Sequence, residues 1–168
     1  MRSRPPKNAP LVLVVDDHPG WNEALQALLV GEGWRTAGAA DGVEALELCA
    51  ALQPALVLLG LELPVMDGLE FLRHYLSDEA GGRVRAPVVT LSALASYARQ
   101  SVDLGATLAL EAPVDREILL DSVAAVLRGA TAGLTPVPAS GFAPVPPTGR
   151  VAAATGYALR IETATLEL

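Results

Sequence analysis

The sequence predicts an α/β fold in which a doubly wound, five-stranded parallel sheet is covered by helices on both faces. Short runs of consecutive apolar residues have the length of strands and are far too short to cross a membrane. Each run is followed by a segment whose apolar residues recur at helical spacing. Strands that are apolar throughout are buried on both faces, which is typical of parallel sheets between two helical layers.

Five segments predict strands. The first, third and fourth are strong, continuous apolar runs with many β-branched residues, whereas the second and fifth are short. In chain order the predicted strands are Leu11–Val15, Trp34–Ala39, Ala55–Leu59, Pro87–Leu91 and Thr107–Leu110. Because each strand precedes a helical segment, right-handed crossovers make the sheet parallel and doubly wound.

Five helical segments follow these strands, and several carry start or stop signals. Pro19 suits the first turn of the first helix, and Asp41 and Asp115 are predicted N-caps of the second and the fifth. Pro54 ends the second helix, and Gly105 closes the fourth. The apolar faces fall within residues 21–29, 43–52, 69–76, 94–104 and 118–127.

Composition narrows the class of protein. The chain has 168 residues, enough for one domain with a core and a tail, and a net charge of −7. That charge argues against a nucleic-acid partner, since phosphate contacts need clustered Lys and Arg. The single cysteine, Cys49, is predicted to be a small buried hydrophobe in an apolar helix. With no apolar run behind the charged N-terminus, we expect a cytoplasmic protein without a membrane partner.

The chain divides by composition into four parts. Residues 1–10 form a charged N-terminal arm, 11–130 the α/β domain, 131–150 a Pro-rich linker and 151–168 a tail. In the tail, Tyr157, Leu159, Ile161 and Thr163 alternate with other residues at strand periodicity. Such a strand could pair with the edge of its own sheet, add to a partner's sheet or stay disordered.

Active groups of open α/β sheets lie at the carboxyl ends of the strands. There the first strand is followed by Asp16 and Asp17, two adjacent carboxylates. One interpretation is half of a Mg²⁺ site, because this hard cation uses one or two carboxylates plus water. The other is a charge pair at the start of a helix. The spacing alone favours neither.

Four motifs carry a resemblance to a known family. VVDDHP, LLGLELPVMDG, PVVTLSA and GATLALEAP, in this order and spacing, resemble the receiver domain of bacterial two-component response regulators. The resemblance covers roughly Pro10 to Leu127. It implies the flavodoxin-like five-stranded parallel sheet in strand order 2-1-3-4-5, which agrees with the α/β pattern.

The resemblance also implies roles for single positions. The acidic pair that holds Mg²⁺ in the family matches Asp16 and Asp17. The aspartate that accepts the phosphoryl group falls on Gly60, which has no side chain. The hydroxyl residue that closes on the phosphoryl group matches Ser92, followed by Ala93.

Two further family positions are changed. The lysine before a proline falls on Ala112, with Pro113 retained, and the switch aromatic of the fifth strand falls on Ala109. A methyl group cannot offset the charge of a phosphoryl group, and alanine has no ring to rotate. The three losses at Gly60, Ala112 and Ala109 together predict a vestigial phosphorylation pocket.

Glu62 lies two residues beyond Gly60 and has two interpretations. It could supply a third carboxylate beside Asp16 and Asp17 and support weak Mg²⁺ binding. The favoured alternative is that its side chain points to solvent above the sheet. Since two close carboxylates without a cation push one pKa upward, we also expect slightly higher stability at mildly acidic pH or with millimolar Mg²⁺.

The resulting hypothesis is a pseudo-receiver that is not an enzyme, requires no cofactor and binds another signalling protein independently of phosphorylation. We expect it to use the face formed by the fourth helix, fifth strand and fifth helix, with Tyr97 and Ala109, or the tail, with Leu159 and Ile161. A homodimer is also compatible with this hypothesis. The alternative is a stand-alone response regulator phosphorylated at a non-standard carboxylate, Asp16, Asp17 or Glu62. A third hypothesis is a small-ligand sensor that uses the vacated pocket, and nothing positive in the sequence supports it.

Overall fold

A computed structural model of the chain describes residues 5–77 and 85–129, and the backbone of two further strands at 150–153 and 158–160. Five β-α units come first in the chain and the two extra strands follow. The elements are β1 Leu11–Val15, α1 Pro19–Gly31, β2 Arg35–Ala39, α2 Gly42–Leu52, β3 Leu56–Gly60, α3 Gly68–Leu76, β4 Val88–Ser92, α4 Ala95–Asp103, β5 Leu108–Glu111, α5 Arg116–Leu127, β6 Arg150–Ala153 and β7 Ala158–Arg160. No helix among the described residues is long and apolar enough to cross a membrane.

All described strands belong to one sheet, in the order β2-β1-β3-β4-β5-β6-β7. The first five strands pair in parallel, so the predicted order 2-1-3-4-5 is confirmed. The two added strands differ, because β6 runs antiparallel to β5 and β7 antiparallel to β6. The carboxyl ends of β1, β3, β4 and β5 therefore meet at one edge of the parallel sheet.

The sheet is buried between two helical layers, as its apolar strands require. Successive side chains of β1 alternate between them: Val12 and Val14 face α1 and α5, whereas Leu13 and Val15 face α2 and α3. The second layer also contains Cys49, which is buried as predicted. Burial raises the pKa of the Cys49 thiol to about 11, so this cysteine is a packing residue with little thiolate character.

Side-chain caps fix where the helices begin. The predicted caps are confirmed, since the carboxylates of Asp41 and Asp115 accept backbone N–H groups at the starts of α2 and α5. Asp67 caps α3 in the same way. His18 caps α1 ahead of Pro19, its Nδ1 accepting the backbone N–H of Trp21 at 3.2 Å.

Three strands end one residue later than the sequence predicts. Their last residues are Gly60, Ser92 and Glu111, since parallel pairing continues with Gly60 opposite Leu91 and Ser92 opposite Glu111. Apolar patterning does not reveal this continuation, because glycine, serine and glutamate are not strand signals. Gly60 and Ser92, two residues of the predicted pocket, are therefore held by the sheet itself.

The tail contributes backbone to the edge of this sheet. β6 pairs with β5, which places Ala152 opposite Ala109, and β7 contains Leu159. The sequence left three arrangements open for the tail. The described backbone shows one of them, in which the tail pairs with its own sheet. Ile161 and the Pro-rich segment 131–149 lie outside the described residues.

Candidate functional site

An open depression of about 550 Å³ lies at the carboxyl ends of β1, β3, β4 and β5. It brings together all the residues predicted for the vestigial pocket except Pro113, which follows Ala112 directly. Its lining consists of Asp16, Asp17, His18, Trp21, Gly60, Glu62, Leu91, Ser92, Ala93, Ala112 and Val114.

The acidic pair occupies one side of the depression. Asp16 is half-buried, and its Oδ1 accepts the backbone N–H of His18 at 2.9 Å. Burial raises the pKa of the Asp16 carboxyl group, the hydrogen bond from His18 opposes this, and the charges of Asp17 and Glu62 raise the pKa further. Asp17 remains exposed. Asp16 is therefore consistent with both interpretations of the acidic pair. Its carboxylate lines the depression, and it also accepts a hydrogen bond in the turn that leads into α1.

Gly60 is the buried last residue of β3 and lies next to Asp16. A Cβ atom at this position would lie 3.0 Å from the carbonyl oxygen of Val15 and 3.4 Å from Asp16 Oδ2. Its φ lies outside the left-handed region, so the backbone does not demand glycine. Any longer side chain here would sit beside the acidic pair, after a shift of a few tenths of an ångström.

Ser92 and Glu62 meet across the depression, although the sequence favoured a solvent-pointing Glu62. Glu62 Oε1 accepts the Ser92 hydroxyl at 2.8 Å and the Ala93 backbone N–H at 3.1 Å. Glu62 remains an exposed residue, whereas Ser92 is buried. The carboxylate turns toward the strand ends because two donors of the β4–α4 loop point at it.

Carboxylate oxygens suit a hard cation, so the donor chemistry of the acidic pair fits Mg²⁺. Asp16 Oδ2 and the Asp17 carboxylate are the groups that would hold it, since Asp16 Oδ1 already accepts from His18. The third ligand that Glu62 could have supplied is not assembled. Among the described residues, no group of three or more His, Cys, Asp or Glu side chains is placed to share a metal ion.

The remaining side of the depression carries no cationic side chain. Ala112 is exposed, and its backbone N–H donates to the Ser92 carbonyl oxygen at 2.7 Å. The Ala112–Pro113 peptide bond is cis. Within the described part of the chain, the lining includes three carboxylates and His18 but neither Lys nor Arg.

The predicted interaction residues have different environments. Tyr97, on α4, is half-buried and packs against the core layer that contains α2 and α3. Ala109 is fully buried in the middle of β5, between Thr90 of β4 and Ala152 of β6 in the sheet. Its part in an interaction surface stays a prediction. For Leu159 the structure gives only its backbone position in β7.

A second cavity of about 600 Å³ lies between α2 and α3 near the amino ends of β3 and β4. Its lining includes Cys49, Tyr75 and Arg85, and the Tyr75 hydroxyl accepts the backbone N–H of Ala86 at 3.0 Å. No pattern in the sequence predicts this cavity, because it arises from the packing of two helices. The contact between Glu62 and Ser92 likewise has no local signal, since the two residues are 30 positions apart in the chain.

Comparisons with known proteins agree with this architecture. The model of the response regulator receiver domain matches residues 12–124. Sporulation initiation phosphotransferase F of Bacillus subtilis is 33% identical over 67% of this chain and 89% of its own length. Chemotaxis protein CheY of Treponema pallidum is 34% identical over 73% of this chain and 87% of its own. Other relatives are longer: the DNA-binding regulator RpaA of Synechocystis, 34% identical, is matched over 49% of its length.

Solved structures lead to the same family. The chemotaxis response regulator CheY4 of Vibrio cholerae is 26% identical, with a TM-score of 0.63 over 71% of this chain and 99% of that one. A signal receiver domain from Bermanella marisrubri is 27% identical, with a TM-score of 0.65 over 71% of this chain and 99% of that one. Fold, motifs and relatives coincide, and the chain belongs to the receiver domain family of two-component response regulators.

Proposed function

We propose that this receiver domain is a phosphorylation-independent protein–protein interaction module of cytoplasmic signal transduction. The observation that carries the proposal is Gly60. It occupies the end of β3 beside Asp16, where the family resemblance implies the carboxylate that accepts the phosphoryl group. Transfer of a phosphoryl group to a carboxylate needs that carboxylate as the nucleophile, and hydrogen cannot replace it.

The charges of the depression support the same proposal. A phosphoryl group on one of the three carboxylates here would lie near the other two, without a Lys or Arg among the described lining residues. Two like charges 4 Å apart repel by about 1 kcal/mol in bulk water and about 4 kcal/mol near a protein surface. Summed over several pairs, this repulsion disfavours phosphorylation of Asp16, Asp17 or Glu62. A bound Mg²⁺ would offset part of it, and we propose at most weak binding of this ion.

The interaction surface we propose combines the two regions expected from the sequence. β6 pairs along β5 and also lies beside α4, so the tail extends the face formed by α4, β5 and α5. A partner that binds this face therefore meets β6 and β7. The partner is another signalling protein, or a second copy of this chain.

Phosphorylation is tested by incubating the full chain with a small phosphodonor and Mg²⁺ and measuring the intact mass. We expect no stable gain of a phosphoryl group. The positive control is the double variant Gly60→Asp with Ala112→Lys, which restores both groups that the family resemblance implies. Stable phosphorylation of the wild type would overturn the proposal. Loss of that label in Asp16→Asn, Asp17→Asn or Glu62→Gln would then identify the carboxylate and favour the alternative of a non-standard acceptor.

The interaction is tested by capture from the lysate of the native host, with the full chain beside a truncation that ends at Ala130. A partner retained by the truncation binds the face of α4, β5 and α5. A partner lost on truncation binds residues 131–168. Analytical ultracentrifugation of both chains tests the homodimer. A monomer that captures nothing in either form contradicts an interaction module.

A further inference from the structure

Two hydrogen-bond donors at the end of β4 converge on one oxygen atom. The Ser92 hydroxyl and the Ala93 backbone N–H lie 2.8 and 3.1 Å from Glu62 Oε1. A hydroxyl beside a backbone N–H is a pair of donors suited to any oxyanion, whether carboxylate or phosphoryl. In this chain the oxyanion that they bind belongs to Glu62.

The direction of the Ser92 hydroxyl is fixed by its surroundings. Its oxygen accepts the backbone N–H of Leu94 at 2.9 Å, which leaves its one proton to donate elsewhere. The available acceptors are Glu62 Oε1 at 2.8 Å and the Leu94 carbonyl oxygen at 3.1 Å. The carboxylate is both closer and charged, and is therefore the stronger acceptor.

We propose that Glu62 is a built-in ligand of this donor pair, a positioning residue that holds the β4–α4 loop in its oxyanion-bound arrangement and excludes external oxyanions. An external phosphate would need the same two donors and would have to displace the Glu62 side chain. The loop consequently takes its bound arrangement without any modification of the protein. This role of Glu62 deepens the proposed function. Only its consequence for signalling rests on that function, whereas the contact with the donor pair does not.

The position of Glu62 suits this role. It follows β3 by two residues, so its backbone is anchored next to Gly60 while its side chain reaches β4. The donors hold it there although Asp16 and Asp17 line the same depression. Because Glu62 is exposed, solvent screens the repulsion between its carboxylate and those of Asp16 and Asp17. Ser92, which orients the Glu62 carboxylate, is buried.

The test follows backbone amide resonances of the full chain by NMR, without a phosphodonor. In Glu62→Ala we expect the Ala93 amide proton to move upfield by more than any amide moves in the control Glu47→Ala, because it loses a charged acceptor. Glu47 is exposed on α2, away from the depression. We expect Glu62→Gln, which retains an oxygen acceptor, to shift Ala93 less than Glu62→Ala does. Unchanged Ala93 and Leu94 resonances in Glu62→Ala would overturn the proposal.

Exclusion of external oxyanions is tested by adding inorganic phosphate to the same samples. We expect the Ala93 resonance of Glu62→Ala to respond at phosphate concentrations at least about tenfold lower than in the wild type. Equal responses in the two proteins would overturn exclusion by Glu62. Because neither experiment involves phosphoryl transfer, both outcomes are independent of whether the domain accepts a phosphoryl group from a donor.

Discussion

At the residue scale, Asp16 links the acidic pair to a dependence of stability on pH. Its carboxyl group has a raised pKa in the folded state, first through burial and then through the charges of Asp17 and Glu62. A raised folded-state pKa contributes stability below the unfolded pKa, and this contribution is lost as pH rises through the folded pKa. Above that range, ionised Asp16 destabilises the fold.

We therefore predict that Asp16→Asn raises the melting temperature at pH 7 by about 1 to 3 °C. Asparagine removes the charge and keeps an oxygen that accepts the His18 N–H. The gain should shrink as the pH falls from 7 through the raised pKa of Asp16, because the carboxyl group then becomes protonated and uncharged. Thermal melts across this range check the prediction, with Glu47→Gln as an exposed control. An Asp16→Asn protein that is no more stable than the wild type at pH 7 would contradict it.

The same residue predicts how the protein responds to Mg²⁺. A cation between Asp16 and Asp17 relieves their repulsion, so millimolar Mg²⁺ should raise the melting temperature of the wild type. Asp16→Asn should show a smaller rise, because one of the two anionic ligands is lost. Melts in MgCl2 and in NaCl at matched ionic strength separate binding from screening. A wild type that responds equally to both salts would exclude a specific site.

Val65 stores strain in the loop that follows β3. Its φ is 65°, in the left-handed region that β-branched residues rarely adopt, and its side chain is 83% exposed. The Met66 N–H donates to the Pro64 carbonyl oxygen at 2.7 Å, which closes a tight three-residue turn around it. We predict that Val65→Asn stabilises the domain by about 1 kcal/mol, since asparagine tolerates this φ.

Urea unfolding of Val65→Asn measures this gain. Val43→Asn is a matched control, since Val43 is also exposed but has helical backbone within α2. We expect the control to change stability little, because valine and asparagine have similar helix propensities. If both substitutions change the unfolding free energy equally, the effect comes from side-chain polarity and not from the backbone of Val65.

At the scale of elements, a buried hydroxyl pair attaches α4 to β4. Thr90 Oγ1 and Ser101 Oγ lie 2.8 Å apart, and Ser101 Oγ also donates to the Ala98 carbonyl oxygen at 2.7 Å. Both residues are fully buried. Ser101 therefore keeps a partner without Thr90. Thr90 would keep only a contact of 3.5 Å to the Leu108 carbonyl oxygen without Ser101.

This asymmetry predicts that Ser101→Ala destabilises the domain more than Thr90→Val does. The first substitution leaves a buried hydroxyl poorly satisfied, at a cost of about 1 to 3 kcal/mol, whereas the second should cost about 1 kcal/mol. The double variant should lose less than the sum of the two, because no unpaired hydroxyl remains. Chemical unfolding of the four proteins measures the cycle. Additive losses would mean that the pair does not couple α4 to β4.

The elements themselves were largely predictable, and the contacts between them were not. Leu11–Val15 is a strand with the predicted bounds, and Asp41 and Asp115 are the predicted caps, because these signals are local. The last residue of β4 depends on pairing with β5, which no local pattern records. The orientation of Glu62 likewise depends on donors contributed by a different strand.

At the scale of the whole molecule, the tail changes which strand forms one edge of the sheet. An exposed edge strand offers unpaired backbone groups to other chains. β6 pairs antiparallel with Leu108, Ala109 and Leu110 and so covers this edge of the parallel sheet. The opposite edge, β2, pairs only with β1 among the described strands. The tail therefore covers the β5 edge of the parallel sheet and does not pair with β2. The β2 edge can serve as an internal reference when the tail is removed.

Removing the tail should expose the backbone of β5 selectively. In a chain that ends at Gly129, we predict faster hydrogen exchange for the β5 amides that point toward β6, while the β5 amides that point toward β4 keep their protection. Amides of β2 should exchange at the same rate in both proteins. Native-state exchange followed by NMR, with the full chain and the truncation under identical conditions, checks this. Uniformly faster exchange in β2 and β5 would indicate a global loss of stability. Unchanged exchange in β5 would mean that β6 does not protect this edge in solution, and a partner strand could then add to β5 directly.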